Sequence, residues 1–272
     1  MAPVHDDIAA VARELAASTV QVKGDGVGGG SGIVWHEGVI VTNAHVARQD
    51  RLWVQTTEGK PLQARVTSRD VRRDLALLRT EGALPKPAVI GDSSRLRAGE
   101  LVIAVGHPLG IVNAASVGVV HSTPDRRWIR SDVKLAPGNS GGPLADAHGR
   151  VIGVNSMIAS GLAMAVPGNA VARFLQGGRR RIGVTLQSVV VAVEAERRFG
   201  LLILETEPGS AAERSGLLTG DVILAIDGRA LTEPDDLSDA LESGPVSLEW
   251  LRGGGWMRAV VQAESQARRE AA

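Results

Sequence analysis

The chain has 272 residues, of which 44% are hydrophobic, and its 30 basic and 30 acidic residues give a formal net charge of zero. This length is nearly two domains' worth, which excludes a small disulfide-stapled module, and this composition excludes a disordered or fibrous chain. A chain with no net charge has no overall electrostatic attraction to nucleic acid. The absence of cysteine excludes disulfides, thiolate nucleophiles and cysteine-based zinc sites.

Apolar runs are short throughout the chain. The longest, at residues 101–105 and 189–193, are far below the ~20 residues of a membrane-spanning helix, so no membrane span is expected. The start carries two acids, Asp6 and Asp7, where a secretory signal has basic residues. The sequence as written therefore predicts a cytoplasmic protein. If the N-terminus is instead the trimmed start of a mature protein, a periplasmic or other extracytoplasmic location would fit.

Residues 1–17 are interpreted as an N-terminal extension, with apolar residues spaced as in a short amphipathic helix. Residues 18–176 then place short Val/Ile/Leu-rich runs between turn-forming clusters, which is typical of an antiparallel barrel or sandwich. The runs expected as strands lie at residues 32–35, 39–42, 52–56, 75–78, 101–105, 116–120 and 151–154. A helix at residues 167–175 is expected to end this domain, because Pro167 stands near its start and two glycines follow it.

Residues 177–181 are rich in glycine and arginine and are interpreted as a linker. Residues 182–264 are expected to form a second compact domain with a helix at residues 233–242. Its strands are expected at residues 189–193, 201–205, 222–226, 246–251 and 257–261. Residues 265–272 are expected to be a disordered tail.

Three catalytic templates match the first domain, and their context separates them. Residues 24–29 (GDGVGG) have the spacing of a dinucleotide-binding loop, but a strand follows them, so a hairpin turn is the simpler interpretation. Residues 138–142 (GNSGG) have the spacing of an α/β-hydrolase nucleophile elbow, but that elbow needs a following helix, which Pro143 opposes. His45, Asp74 and Ser140 follow one another in the order of the chymotrypsin arrangement.

Each member of this candidate catalytic triad meets a chemical requirement. Ser140 must lose a proton as it attacks a carbonyl carbon, and the neutral imidazole of His45 is the candidate base. A buried carboxylate at Asp74 would fix the imidazole tautomer and stabilise the imidazolium that forms. The backbone N–H groups of Gly138 and Ser140 are the candidate donors of an oxyanion hole, because a glycine-rich turn brings the backbone close to the substrate.

These residues belong to a longer series of motifs that resembles the trypsin-like serine proteases of the HtrA type. The motifs lie at residues 30–34 (GSGIV), 42–46 (TNAHV), 74–78 (DLALL), 91–93 (GDS), 106–110 (GHPLG), 137–143 (PGNSGGP) and 165–167 (AVP). Further motifs at residues 181–184 (RIGV), 208–217 (PGSAAERSGL) and 220–228 (GDVILAIDG) resemble the PDZ domain of that family. The resemblance runs from residue 18 to residue 262, which is nearly the whole chain.

The resemblance implies a mainly β protein, with a chymotrypsin-like double β-barrel followed by a small α+β PDZ domain. It implies a serine endopeptidase that cleaves unfolded or damaged proteins without ATP, in which Ser156, Met157 and Ile158 pair with the substrate backbone. The apolar surroundings suggest a pocket for small or medium aliphatic side chains. No cofactor is expected, and no metal either, since no pair of histidines has metal-ligand spacing.

For the second domain, the resemblance implies capture of peptide C-termini by addition of the peptide as a strand to an exposed sheet edge. Ile182, Gly183 and Val184 occupy the loop that would hold the terminal carboxylate, and residues 184–188 would be the docking strand. Arg181 stands where the family has an aromatic or apolar residue. Arg181 either strengthens carboxylate capture or indicates a different use of the groove.

The sequence also departs from the family pattern. The loops at residues 121–127 and 159–162 are short, and Lys134 replaces a small residue near the expected pocket. A homotrimer is the assembly that the resemblance implies, but the N-terminal segment lacks the aromatic residues through which family trimers assemble. The short loops motivate an alternative function, a holdase or peptide-binding scaffold whose triad is intact but rarely competent.

Overall fold

The structure is a computed structural model that describes residues 4–24, 28–56, 61–122, 127–176, 180–193, 196–242 and 244–265. The chain divides into two compact units, Met1–Leu175 and Gln176–Ala272. Each unit has a hydrophobic core of its own. Among the described helices, none combines the length and the apolar character that crossing a membrane requires.

The first unit opens with helix α1, Val4–Ala17, and continues into a closed antiparallel barrel of order β1-β2-β3-β6-β5-β4. The strands of this barrel are β1 Thr19–Lys23, β2 Gly29–His36, β3 Val39–Thr42, β4 Arg51–Gln55, β5 Leu62–Asp70 and β6 Leu75–Thr80. β1 and β2 pair antiparallel, so the glycine-rich segment at residues 24–28 joins a hairpin; residues 25–27 lie outside the described part of the chain.

Both faces of the inner strands of this barrel are buried, which explains their unbroken apolar sequences. Ile40 and Leu78 belong to the core inside the barrel. Val41 and Leu77, one residue along each strand, belong to a second core that the first barrel shares with the next sheet. Because successive side chains of a strand point to opposite faces, a strand between two cores has a continuous apolar run.

A second antiparallel sheet of order β8-β7-β10-β11-β12-β9 follows, and an isolated bridge between Val120 and Ser131 joins its two ends. Its strands are β7 Leu101–Gly106, β8 Ala114–Val119, β9 Ile129–Ser131, β10 Pro143–Asp146, β11 Val151–Ala159 and β12 Leu162–Pro167. Helix α2, Gly168–Leu175, ends the unit, so the expected helix begins one residue after Pro167. The predicted double β-barrel is confirmed.

The core shared by the two barrels fixes their relative position within this unit. Ile33 and Leu75 contribute to it from the first barrel, and Ile103 and Val154 contribute from the second. Helices α1 and α2 cover it, and Leu15 of α1 is fully buried there. This packing sets the loops of the first barrel against the turns of the second.

The second unit is a sheet of order β14-β15-β16-β18-β19, with β17 paired to β16, and two helices. The strands are β14 Val184–Val193, β15 Glu196–Thr206, β16 Val222–Ile226, β17 Arg229–Ala230, β18 Val246–Arg252 and β19 Gly255–Val261. The helices are α3 Ala211–Arg214 and α4 Asp235–Glu242. This arrangement confirms the predicted small α+β domain.

The structure describes strand pairing at the edges of the predicted linker and the predicted tail. Residues 177–179 lie outside the described part of the chain, but Arg180–Arg181 form strand β13, which pairs antiparallel with β20, Glu264–Ser265. Ser265 is therefore in a strand, and only residues 266–272 of the predicted tail lie outside the described residues. Strand pairing uses backbone N–H and C=O groups, and every residue except proline carries both. The side chains of a short basic segment therefore do not indicate that it pairs as a strand.

Of the two loops expected to be short, the structure describes the loop at residues 159–162 in full and the loop at residues 121–127 in part. The loop at residues 159–162 is a tight turn, because β11 ends at Ala159 and β12 begins at Leu162. In the loop at residues 121–127, residues 123–126 lie outside the described part.

Candidate active site

His45 and Asp74 lie on two loops that meet at one end of the first barrel. Thr42 at the end of β3 pairs with Ala76 near the start of β6, so the loop after β3 and the loop before β6 are neighbours. The first loop carries His45 and the second carries Asp74. Asn43 joins the loops, because its side-chain amide donates to the main-chain carbonyl of Asp74 at 2.8 Å.

The Asp74 carboxylate holds the His45 imidazole by its Nδ1 atom. Nδ1 lies 2.9 Å from Oδ1 and 2.8 Å from Oδ2, and the main-chain N–H of His45 donates to Oδ1 at 3.0 Å. Since an ionised carboxylate only accepts, the proton is assigned to Nδ1, and Nε2 keeps its lone pair. The side chain of His45 is 42% exposed and that of Asp74 is 12% exposed, so the base is accessible and its partner is shielded.

Asp74 stays ionised at neutral pH because its hydrogen bonds outweigh its burial. Burial alone would raise the pKa of Asp74, but hydrogen bonds from the His45 side chain, from Ser156 and from the His45 main chain hold the pKa below its usual value. The hydroxyl of Ser156 donates to Oδ2 at 2.5 Å. Asp74 has a φ of 54°, a left-handed conformation that aspartate adopts more readily than most residues.

Ser140 lies on the turn that leads into β10, so a strand rather than the helix of a nucleophile elbow follows it. The hydroxyl of Ser140 donates to the main-chain carbonyl oxygen of Ser156 at 2.8 Å. Among the described residues, no hydrogen bond joins Ser140 to His45. The structure therefore couples His45 to Asp74 and holds Ser140 separately through Ser156.

The turn before Ser140 leaves two backbone donors unpaired. The N–H groups of its neighbours Asn139, Gly141 and Gly142 all donate to main-chain carbonyls. The N–H groups of Gly138 and Ser140 donate to no acceptor in the part of the chain that the structure describes. Gly138 has a φ of 107°, and a side chain there would strike the carbonyl oxygen of His107, so the turn requires glycine.

An open strand edge lies beside Ser140. Ser156 is buried on β11, whereas Met157 is 44% exposed and Ile158 is 59% exposed. β12 pairs with β11 to the end of that strand, but β10 pairs with it only as far as Val154. Among the residues that the structure describes, residues 156–158 therefore have one edge without a partner strand, to which an extended peptide can add as a strand.

In the second unit, Ile182 and Gly183 lead into β14, and Val184 is the first residue of that strand. The carbonyl of Ile182 accepts from the Ala212 N–H, and the carbonyl of Gly183 accepts from the Glu207 N–H, both at 2.8 Å. The N–H groups of Ile182 and Gly183 have no acceptor among the described residues. Within the described part of this unit, β14 is an end strand that pairs with β15 alone, so its second edge is open there.

A cavity of about 230 Å³ lies against this loop. It is lined by Arg181, Gly183, Glu207, Pro208, Gly209, Ser210 and Glu264. The guanidinium of Arg181 lies 3.1 Å from Oε1 of Glu207, and both side chains are half exposed. Glu207 thus balances the charge of Arg181. The N–H groups of Ile182 and Gly183 then remain as the groups of this loop that can bind a carboxylate.

The described residues hold no group of three or more His, Asp or Glu side chains placed to bind a metal ion. His107 is 3% exposed; its Nδ1 accepts from the Asn113 N–H at 3.3 Å, and its Nε2 is buried without a partner among the described residues. Burial, with a smaller effect of the charge on Lys23, lowers the pKa of His107 to about 4. His107 is therefore a neutral, buried histidine at neutral pH.

Two family models match the chain. Residues 30–154 match a trypsin-like peptidase domain, and this range contains His45, Asp74 and Ser140. Residues 202–252, in the second unit, match a PDZ domain.

Curated relatives are similar over most of the chain. The human serine protease HTRA4 is 33% identical over an alignment of 297 positions, gaps included, which covers 92% of this chain and 62% of that protein. The serine protease HTRA1 of Xenopus tropicalis is 32% identical, over 80% of this chain and 56% of that protein. HhoA of Synechocystis is 33% identical, over 86% of this chain and 70% of its own length. The chain belongs to the HtrA family of serine proteases.

Solved protease structures have the same fold as this chain. The HtrA-type protease AlgW, solved with a decapeptide, superposes with a TM-score of 0.73 at 22% identity, over 96% of this chain and 99% of AlgW. A serine endoprotease from Yersinia pestis superposes with a TM-score of 0.71 at 21% identity, over 96% of this chain and 98% of that one. The HtrA chain described here spans less than two thirds of HTRA4 and HTRA1.

Sequence reasoning missed two side-chain contacts of this HtrA site. Ser156 was expected to offer its backbone to a substrate, and the structure also places its hydroxyl on Asp74. The sequence gives Asn43 no role beyond its place in the motif at residues 42–46, and the structure places its amide on the carbonyl of Asp74. The position of Asn43, between an apolar strand and the candidate base His45, could have indicated this contact. A polar residue buried there needs hydrogen-bond partners for its amide.

Proposed function

We propose that this HtrA chain is a serine endopeptidase in which Ser140 is the nucleophile, His45 the general base and Asp74 the residue that orients the base. The observation that carries the proposal is the contact of both Asp74 oxygens with Nδ1 of His45, which leaves Nε2 basic on an accessible imidazole. An oriented base of this kind is what activates a serine hydroxyl at neutral pH.

The proposed reaction proceeds through an acyl-enzyme. Oγ of Ser140 attacks the substrate carbonyl carbon, its proton passes to Nε2 of His45, and the carbonyl π electrons move to oxygen. The N–H groups of Gly138 and Ser140 stabilise this oxyanion. The C–N bond then breaks, and the imidazolium gives its proton to the leaving nitrogen. Water attacks the acyl group by the same steps and restores the Ser140 hydroxyl.

The hydrogen bond between Ser140 and Ser156 gives the substrate a part in activating the serine. A substrate that adds along residues 156–158 donates a main-chain N–H to a carbonyl of that edge, as neighbouring strands do. At Ser156 this donor competes with the hydroxyl of Ser140, which is then released toward Nε2 of His45. Catalytic hydrogen bonds commonly form only when substrate is bound, so the resting geometry agrees with catalysis.

The proposed substrates are unfolded or damaged polypeptides, with free C-termini as ligands of the PDZ domain. Strand addition at either edge needs an extended segment, which an unfolded chain supplies. The exposed apolar side chains of Met157 and Ile158 support a preference for small or medium aliphatic residues before the scissile bond. The unpaired N–H groups of Ile182 and Gly183 support capture of a terminal carboxylate.

One observation favours the second candidate function, a holdase or peptide-binding scaffold. The hydroxyl of Ser140 is bonded to Ser156 rather than to His45, and a serine that stays in this position is unreactive. A fluorophosphonate probe separates the two functions. A protease labels rapidly at Ser140, whereas a scaffold labels slowly or not at all.

The proposed function is tested by casein hydrolysis with Ser140→Ala. The fold should persist, because main-chain hydrogen bonds hold the turn, and turnover should fall by ~10⁶-fold. Ser131→Ala is the matched control, a buried serine of the second barrel whose hydroxyl has no partner among the described residues. Hydrolysis by folded Ser140→Ala at the wild-type rate would reject the proposal.

A further inference from the structure

Ser31 ties the first barrel to the turn that carries Ser140. It lies on β2, and its side chain is fully buried, with 0% exposed. Its N–H donates to the Ser140 carbonyl at 2.8 Å, and its carbonyl accepts from the Thr42 hydroxyl at 2.6 Å. Its hydroxyl donates to the Gly138 carbonyl at 2.7 Å and accepts from the His107 N–H at 3.0 Å. Every polar group of Ser31 is therefore used.

The Gly138 carbonyl sits between the two unpaired donors of the turn. It belongs to the peptide that links Gly138 to Asn139, and the peptides on either side of it carry the N–H groups of Gly138 and Ser140. A trans peptide is planar, so its C=O and N–H point in opposite directions. A hydrogen bond that fixes the orientation of one of these three consecutive peptides therefore limits the orientation of the next.

All three peptides are held by their carbonyls. The Pro137 carbonyl accepts from the Leu109 N–H at 2.9 Å, and the Asn139 carbonyl accepts from the Gly142 N–H at 3.0 Å. The Gly138 carbonyl, in the middle, is held by the hydroxyl of Ser31. Of these three hydrogen bonds, only the one from Ser31 comes from a side chain, so only this one can be removed without altering the backbone.

We propose that Ser31 is a positioning residue for the oxyanion hole: its hydroxyl holds the Gly138 carbonyl so that the N–H groups of Gly138 and Ser140 face the substrate. This inference rests on the proposed function. An oxyanion forms only after attack, so correctly placed donors act on the transition state more than on bound substrate. Loss of the hydroxyl should therefore lower kcat and leave KM nearly unchanged.

Removal of the hydroxyl leaves the partly buried Gly138 carbonyl and the buried His107 N–H without their partner. An unpaired buried polar group is costly, so the peptide after Gly138 is expected to rotate toward another donor. Gly138 permits this rotation because it has no side chain to restrict its backbone. Because the flanking peptides share their Cα atoms with this peptide, its rotation is expected to disturb the positions of both oxyanion donors.

The test compares Ser31→Ala with Ser18→Ala in the full chain, using a short chromogenic peptide. Ser18 is a buried serine of the same unit whose hydroxyl donates to the Leu15 carbonyl of α1 rather than to the turn. Ser31→Ala should lower kcat by about 10- to 100-fold with KM within about twofold. It should weaken binding of a peptide boronate, which forms a tetrahedral adduct with the serine, by the same factor as kcat/KM. Ser18→Ala should keep kcat within about twofold at a comparable loss of stability to urea.

Two results would overturn the inference. One is a Ser31→Ala kcat within about twofold of wild type while Ser140→Ala is inactive, which leaves the proposed function intact. The other is an equal loss of kcat in Ser31→Ala and Ser18→Ala, which shows a structural role alone. If Ser31→Ala does not fold, Ser31→Cys supplies the test, because its thiol fills the site and donates only weakly. An intermediate kcat supports the inference, and a wild-type kcat overturns it.

Discussion

The hydroxyl of Ser156 donates to Oδ2 of Asp74 at 2.5 Å, across a sequence separation of 82 residues. The main-chain carbonyl of Ser156 accepts the hydroxyl of Ser140. One buried residue of β11 therefore contacts both the acid and the proposed nucleophile. It connects the triad across the two barrels of the first unit.

Ser156→Ala should weaken catalysis and shift its pH dependence. The change removes a donor from Asp74 and keeps the main-chain carbonyl that Ser140 uses. We expect kcat/KM to fall by about tenfold, in line with one hydrogen bond to a charged group. The pKa of Asp74 should rise, because the Ser156 hydrogen bond is one of the contacts that lower it. Since an ionised Asp74 orients His45, the part of the acid fall in kcat/KM that comes from protonation of Asp74 should begin at a higher pH.

Ser131→Ala serves as the control for this change, since its hydroxyl has no partner among the described residues. It should leave both the rate and the pH profile as in wild type. A Ser156→Ala variant with the wild-type rate and profile would show that its hydroxyl does not act on Asp74.

Asp74→Asn should be far more damaging than the loss of Ser156. An amide can donate to Nδ1 and so favours the wrong imidazole tautomer, and a loss of ~10⁴-fold in kcat is expected by analogy with other triads. Asp70→Asn is the matched control, because Asp70 is buried on the same turn and pairs with Arg73 at 3.0 Å. Kinetics with a short peptide and urea unfolding should show lost stability without lost catalysis in Asp70→Asn. A mild effect of Asp74→Asn would mean that another acid orients His45.

The sequence predicts those residues of the site that are recognisable from the residues next to them in the chain. His45 follows an apolar strand, Asp74 precedes one, and Ser140 lies in a glycine-rich turn, so each is recognisable from its neighbours. The contact between Ser31 and Gly138 spans 107 residues and has no local pattern. It depends on the shared core that sets one barrel against the other, which no window of sequence contains.

The same reasoning explains which strands the sequence predicts. β3 and β6 lie between two cores and read as unbroken apolar runs, so both are predicted. β5 was missed, because it is only partly buried and carries charged residues such as Arg65 and Arg69 on its accessible positions. Its pairing with β4 and β6 is specified by closure of the barrel, a property of the whole domain.

His107 should give the fold an acid-sensitive component of stability. Its pKa is lowered from 6.5 to about 4 in the folded protein, so the unfolded chain binds more protons between these values. This contribution is complete above about pH 6.5 and is lost progressively as pH falls toward about 4, by at most about 3 kcal/mol. His107→Asn does not titrate, and its carbonyl oxygen can accept from the Asn113 N–H in place of Nδ1. The fall in unfolding free energy from pH 7 to pH 4.5 should therefore be smaller in His107→Asn.

Urea unfolding at several pH values measures this difference directly. His36→Asn is the control, because His36 is exposed and lacks the burial that acts on His107. It should show the pH dependence of wild type. Identical curves for His107→Asn and wild type would mean that His107 takes up its proton in the folded state as readily as in the unfolded chain.

The last prediction concerns recruitment by the PDZ domain. Gly183 has a φ of 77°, and a side chain there would meet Ser210, so Gly183→Ala should disturb the loop that offers the N–H groups of Ile182 and Gly183. Binding of a peptide with a free apolar C-terminus should weaken by about tenfold or more, as loss of main-chain donors to a carboxylate predicts. Tethering raises the local concentration of a long substrate, so casein cleavage should slow while short-peptide turnover stays unchanged.

Gly228→Ala is the matched control, since Gly228 has a similar φ of 75° in the same unit and open space where a side chain would go. It should carry the same backbone strain yet keep peptide affinity, which fluorescence polarisation measures, and casein cleavage. The tight turn between β11 and β12 favours recruitment over a relay, because it leaves little chain there to rearrange. Strong stimulation of short-peptide turnover by a C-terminal peptide in wild type, abolished in Gly183→Ala, would instead establish a relay from the PDZ domain to Ser140.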